Sequence, residues 1–204
     1  MMQRLPKAAM NEVETALEEG FYEAAPPLYL PNVIDLQETY LQKSDPLTFY
    51  RASIDREGDV ARLTVDRTVP TQGHSSLDVT NASEAPREIE LMIDYVEPSV
   101  SYAEVDTPKR VVDESLSLDS GSGSSWLDAP TVETTAFDRL TGKYEATVVT
   151  DTDSETIEYT EPYQFAYFPQ RGFALGGTDD RITVSLIEQP VKDDIICSRY
   201  WYDE

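Results

Sequence analysis

One cysteine, Cys197, and one histidine, His74, are all that 204 residues provide. A lone thiol forms no internal disulfide, so nothing argues for an oxidising compartment. A lone imidazole excludes the HExxH zinc pair, and one thiol beside it makes no transition-metal cluster. The chain contains no GxSxG elbow, CxxC, GxGxxG or Walker lysine, so nucleophile, redox and phosphate-cradling signatures are all missing. No stretch approaches the roughly 18 apolar residues that span a bilayer. The opening MMQRLPKAAMNEVE lacks the apolar core of a secretion signal, which predicts a chain that stays where it is made. These absences predict a protein that is not an enzyme and carries no cofactor or metal.

What is abundant is negative charge. Thirty-nine acidic side chains face 16 basic ones, for a formal net charge of -23 and a pI near 4.2. Such a surface repels phosphate backbones and, at ordinary ionic strength, itself; at 1 M salt the Debye length falls to about 3 Å and the penalty largely vanishes. The acids recur between apolar residues from Glu12 to Glu204, the pattern of a solvated outer face. Lysine is scarce (Lys7, Lys43, Lys109, Lys143 and Lys192 among the 16 bases), and short carboxylates in place of long ammonium stems reduce exposed apolar area. Together these traits resemble the proteins of extreme halophiles, a likeness of composition that points to a habitat, with counter-ions as constant partners. The one locally basic stretch is MMQRLPK, so contact with a genome or a membrane is expected only through Arg4 and Lys7, without sequence-specific nucleic-acid binding. With 39 acids, carboxylate pairs suited to glycoside hydrolysis abound by chance, so the pairing carries no signal.

Hydrophobic residues at 40% and aromatics at 10% suffice for one substantial globular domain. Residues 8–20, AAMNEVETALEEG, place Met10, Val13 and Leu17 on one helical face, with Gly20 available as a left-handed cap. PPLYLP (26–31) predicts a stiff extended arm. DLQETYLQK (35–43) predicts a brief second helix capped by Asp35. From Leu47 the period becomes two: in DVARLTVDRTV, Ala61, Leu63 and Val65 share one face, and the same alternation marks REIELMIDYV, KYEATVV and RITVSLI. Many short strands between turn residues predict an all-β fold, an antiparallel β-sandwich, jelly-roll-like, with a short N-terminal helix and extended arm. The predicted organisation is helix and arm over 1–46, then a sandwich over 47–204 with a flexible Gly/Ser loop at 117–130 that carries Trp126.

Three local patterns call for weighing. The stretch DTDSETIEYTEPYQFAYF (151–168) holds five carboxylates and five aromatic rings. Asp151, Asp153 and Glu155 begin like a calcium loop, but Thr156 and Pro162 stand where the EF-hand needs Gly and Glu, so alternation on a solvated strand face is the expectation. IDYVEPSVSYA (93–103) aligns without gaps with IEYTEPYQFAY (157–167), and each Pro marks an edge, bulge or corner. His74 beside Ser75 and Ser76 reads as a polar turn, and the Asn81-Ala82-Ser83 acceptor pattern as accidental.

Without catalytic signatures, and with a helix, an arm and an aromatic end, the chain is expected to be a self-assembling structural subunit of a large complex in high salt. The specific expectation is a virion (capsid) protein of a virus infecting a halophile, located in the virion or otherwise the cytoplasm. Its partners would be itself and other structural proteins of the assembly. The interface candidates are Met10, Val13, Leu17, Trp126, Tyr200, Trp201 and Tyr202. The alternative is a soluble β-sandwich binding module for a carbohydrate or protein partner, with Trp126 as its platform.

Overall fold

The computed structural model describes residues 3–37, 39–44, 47–100, 107, 109–121, 129–161, 169–178, 181–190 and 199–201. The chain forms two compact units, one from residues 1–70 and 196–204, the other from 71–195. The second is thus an insertion between two parts of the first. Apart from one α-helix and a single 3-10 turn, the regular elements described are strands, and the all-β expectation holds at that level.

The first unit contains β1 (Gln3–Arg4), α1 (Lys7–Glu19), β2 (Tyr22–Ala24), β3 (Tyr40–Ser44), β4 (Leu47–Glu57), β5 (Val60–Arg67) and, from the far end of the chain, β16 (Arg199–Trp201). These strands make one sheet in the order β1-β16-β3-β4-β5-β2. β16 runs parallel to both neighbours, and the remaining pairs are antiparallel. α1 ends where the sequence predicts, with Gly20 at φ 87°, a conformation that costs glycine nothing. Its apolar face and the alternating inner residues Ala61, Leu63 and Val65 of β5 belong to one core.

Three expectations change here. The boundary drawn at Leu47 falls inside this sheet, because β3 and β4 form an antiparallel pair with Leu41 opposite Tyr50. The predicted arm is not free: Leu28 and Leu30 are buried, and Leu30–Asn32 closes a 3-10 turn. The carboxylate of Glu12, itself only 3% exposed, fixes that turn by accepting the Tyr29 and Leu30 N–H groups, both at 2.8 Å. The predicted helix at 35–43 is instead a turn followed by β3. Asp35 Oδ1 accepts the Gln37 N–H at 2.8 Å, the local bond by which Asp favours turns over helix.

Glu12→Ala leaves two inward amides without an acceptor, and each such loss costs about 1–3 kcal/mol. The expected result is a loss of about 2 kcal/mol, read as faster hydrogen exchange of the β3 to β5 amides. Glu12→Gln, which keeps one acceptor oxygen, recovers part of it.

The second unit contains β6 (Thr71–Ser75), β7 (Asp78–Asn81), β8 (Arg87–Pro98), β9 (Lys109–Leu118), β10 (Thr131–Glu133), β11 (Phe137–Leu140), β12 (Gly142–Val149), β13 (Ser154–Glu161), β14 (Pro169–Thr178) and β15 (Arg181–Pro190). β13-β12-β8-β9 is an antiparallel sheet, β10-β7-β14-β15 is a second sheet, and β6 pairs with β11 as a ribbon. The second sheet is mixed, since β7 and β14 run parallel. One hydrophobic cluster draws on both sheets, with Leu91, Ile93, Tyr95, Tyr144 and Val148 from the first and Val79, Phe173, Leu175 and Val184 from the second. This is sandwich-like packing. Close backbone approach between β7 and β14 needs Gly172, where a Cβ would meet the Asp78 carbonyl oxygen at 2.5 Å.

Asn81, the acceptor of the glycosylation pattern, is fully buried. Its Nδ2 donates to the carbonyls of Ala85 (2.8 Å) and Asp119 (3.0 Å), while Oδ1 accepts the Ser83 N–H and hydroxyl. That amide is a structural hub, with no hydrogen left for a sugar.

Candidate functional site: the inner face of strand β13

Alternation along β13 sends Ser154, Thr156, Glu158 and Thr160 to solvent. Residues 155, 157, 159 and 161 therefore face the core, and Asp153 continues that row. The sequence reading had the alternation right and the face wrong. The inner row is Asp, Glu, Ile, Tyr, Glu, and each of its acids is engaged by the fold.

At one end of the row, Asp153 Oδ2 accepts the Ile182 N–H at 3.0 Å and Glu155 Oε2 accepts the Val184 N–H at 2.8 Å. Ile182 and Val184 lie on β15, which has β14 on its other side. Their amides are the ones an edge strand would otherwise leave open. Two carboxylates thus latch the margin of one sheet onto the other. A similar bond on the opposite flank runs from the Thr135 N–H to Glu114 Oε1 of β9 at 2.8 Å. The calcium-loop resemblance ends here, because Asp153 and Glu155 are spent on backbone donors and Asp151 is exposed. Among the described residues no group of three or more His, Cys, Asp or Glu is placed to hold a metal ion.

At the other end, Glu161 is 1% exposed. Its Oε1 accepts from Arg139 Nε at 3.1 Å and Nη2 at 2.6 Å, and its Oε2 lies 3.7 Å from Arg171 Nε. Arg139 comes from β11 and Arg171 from β14, both 6% exposed. Three ribbons or sheets therefore converge on one carboxylate. Arg139 Nη1 also reaches Ser75 Oγ at 3.4 Å, and the Arg171 guanidinium lies 5.8 Å from the Tyr159 ring centroid. Backbone register sets Glu188 of β15 opposite Arg171.

Between the two ends lies a tyrosine ladder across three strands. Tyr144 stacks on Tyr159 at 5.2 Å and 13°, and meets Tyr95 at 5.0 Å. Tyr95 and Tyr144 donate their hydroxyls to the carbonyls of Thr141 (3.0 Å) and Leu140 (2.8 Å), while the Tyr159 hydroxyl has no hydrogen-bond partner among the described residues. Burial pushes all three hydroxyls well above the ordinary tyrosine value, so they stay protonated throughout the neutral range.

The ladder explains the internal echo. β8 and β13 flank β12 on either side, so Ile93 and Ile157 both face Ala146, and Tyr95 and Tyr159 both face Tyr144. The register to β8 then shifts between Lys143 and Tyr144, a bulge that makes Val96 the extra residue. As a result Glu97 is exposed while its counterpart Glu161 is buried. The proline of the first copy, Pro98, does mark a bulge; Pro162 lies outside the described residues. Opposite Pro98, Gly142 at φ 149° leaves no room for a Cβ between the Glu97 carbonyl and the Tyr95 ring.

Three of the surface bases are drawn into ion pairs. Arg62 meets Glu23 at 2.6 Å, Arg110 meets Asp94 at 2.6 Å, and Lys143 meets Glu158 at 2.7 Å. The hydrogen bond to Glu158 holds the Lys143 ammonium above the usual lysine range, with Glu97 and Glu145 adding to it. Arg51 donates to the Gln37 carbonyl and lies over the Tyr40 ring at 5.2 Å.

The residues singled out in the sequence fall apart spatially. Val13 is fully buried in the first unit's own core, and Met10 and Leu17 are partly buried against it. They hold α1 down onto that core. Arg4 and Lys7 are exposed. Tyr200 and Trp201 take backbone positions on β16, while Trp126 and Tyr202 lie outside the described residues, as does half of the 117–130 loop, residues 122–128. His74 is exposed and its Nδ1 lies 3.1 Å from Asp138 Oδ1. Ser75 Oγ faces Arg139, and Ser76 Oγ donates to Glu133 at 3.2 Å, so both hydroxyls are engaged elsewhere. Arg139, Glu161 and Arg171 were missed; the available signal was that Glu161 keeps phase with Ile157 and Tyr159.

Compared with known proteins, the chain matches no protein-family model, no curated protein and no solved structure. Among the described residues no helix is long and apolar enough to cross a membrane.

Proposed function

We propose that the chain is a structural, self-assembling subunit of a large complex that works in concentrated salt, a virion protein such as the capsid subunit of a virus infecting a halophile. In this reading the second unit is a jelly-roll-like building block. The observation that carries it is the division of charge: the acids of the inner row are consumed in holding two sheets and a ribbon together, Arg62, Arg110 and Lys143 are paired at the surface, and 39 acids against 16 bases leave a large surplus of carboxylates. Such an exterior repels its own copies in dilute buffer and tolerates them in brine. Symmetric assembly then repeats one modest contact many times.

Sizing and electron microscopy of the purified chain test this directly. Rings or particles are expected at molar salt, with separate and less stable monomers in dilute buffer. A monomer at every salinity, equally stable throughout, overturns the proposal. That result would instead favour a β-sandwich module for a carbohydrate or protein partner, a reading supported by the 62% exposure of Tyr29.

A further inference from the structure

β16 is an inner strand of its sheet, yet it is supplied from the far end of the chain. Tyr200 and Trp201 face Leu41 and Gln42 of β3 on one side and Gln3 and Arg4 of β1 on the other, in parallel. Three residues fill the slot. Until the end of the chain arrives, β3 and β1 present open backbone edges to each other across the width of one strand. The Gln42 side chain, opposite Trp201 in register, is buried, and its Oε1 has no hydrogen-bond partner among the described residues.

Main-chain pairing cannot tell one copy's strand from another's. Closed and exchanged forms make the same bonds, so local concentration and the tether decide between them. The tether is the eight residues between Pro190 and Arg199, long enough to reach about 27 Å when extended. Asp193 and Asp194 precede the strand and Asp203 and Glu204 follow it, so approach of a second copy is opposed until salt screens those charges.

We propose that β16 is the joining element of the assembly: residues 199–201 of one copy occupy the slot between β1 and β3 of the next. This rests on the assembly reading above and gives it a contact. The test uses the full chain with Cys197→Ser, Gln42→Cys and Trp201→Cys, oxidised after assembly in molar salt and run on a non-reducing gel. Cross-linked species at multiples of the chain mass are expected to predominate, and at low concentration in dilute buffer the cross-link should form within single chains. In parallel, a chain lacking residues 199–204 should lose assembly and bind a labelled peptide of residues 196–204, read by anisotropy. Particles whose cross-links all lie within single chains overturn this inference alone, as does a folded shortened chain that assembles like the intact one or takes up no peptide. An intact chain that never associates removes the assembly reading and this one together.

Discussion

Glu161→Gln is expected to destabilise the second unit by about 3–5 kcal/mol, the usual cost of leaving a buried charge without its counter-charge. The substitution is isosteric, so packing against Tyr159 and Tyr144 is preserved and the loss reports electrostatics. Arg139 is the group left stranded: two of its nitrogens address Oε1 at 3.1 and 2.6 Å, and at 6% exposure water cannot replace them. By the ordinary scaling this corresponds to a fall in Tm of roughly 10–20 °C, measurable by calorimetry. Arg139→Met should cost a similar amount, and the double variant should cost clearly less than the sum, because each single change strands the other member of the same pair and the double change strands neither. Losses below about 1 kcal/mol with strict additivity would mean that the three charges are hydrated and independent. The cluster is not needed for net stability, since an apolar replacement of similar volume is often neutral. Its effect is to give β11, β13 and β14 one meeting point, and so to fix which strand end lies where.

The strands were legible because period-two alternation depends only on which faces are wet. Ala61, Leu63 and Val65, or Tyr144, Ala146 and Val148, are inward in the structure as the pattern requires. The helix was legible from its apolar spacing and Gly20. What alternation cannot say is which face is inward when acids sit on both, and residues 153–161 are such a case: Glu155 and Glu161 share a face with Tyr159, Glu158 takes the other. Hydropathy assigns every acid to solvent, and that rule fails wherever a backbone donor or an arginine from elsewhere in the chain is the partner. The partners are remote, Ile182 for Asp153 and Arg139 for Glu161, so no local window contains both. The bulge that turns Glu97 outward while its counterpart points inward is likewise invisible, because the two segments are nearly the same sequence. The arm at 26–31 was misjudged for a related reason. Its prolines suggested extension, but the segment bends into the 3-10 turn Leu30–Asn32, and the acceptor that fixes that turn is Glu12, on the preceding helix.

Charge in this protein therefore does two kinds of work, separated by strand face. Surplus carboxylates outside repel one another until salt screens them; a few inside replace the ladder bonds that the sheets cannot make for themselves. The two populations differ in their response to salt. Exposed repulsion is screened within a few ångströms at molar ionic strength, whereas short, partly buried hydrogen bonds are screened far less. Concentrated salt can thus relax the exterior without loosening the closure.

Asp153→Ala with Glu155→Ala is expected to open that closure. Hydrogen bonds to a charged acceptor contribute about 1.5–3 kcal/mol each; both sites are only partly buried, which lowers the figure, and a combined loss of about 3 kcal/mol follows. The qualitative result is the more telling one. With the Ile182 and Val184 amides released, β15 becomes an open edge beside a hydrophobic core, the configuration that pairs with other chains. The double variant should form thioflavin-positive aggregates in molar salt, where repulsion no longer restrains it, and should show fast hydrogen exchange at 182 and 184 before any global unfolding. Asp153→Asn with Glu155→Gln keeps an acceptor oxygen at each site and should stay closed, with a smaller loss. If the alanine pair leaves exchange at those two amides unchanged, the carboxylates are bystanders and the β15 edge is protected by something else. If the asparagine and glutamine pair aggregates as readily as the alanine pair, negative charge at the edge, and not the hydrogen bonds, is what keeps neighbouring chains away.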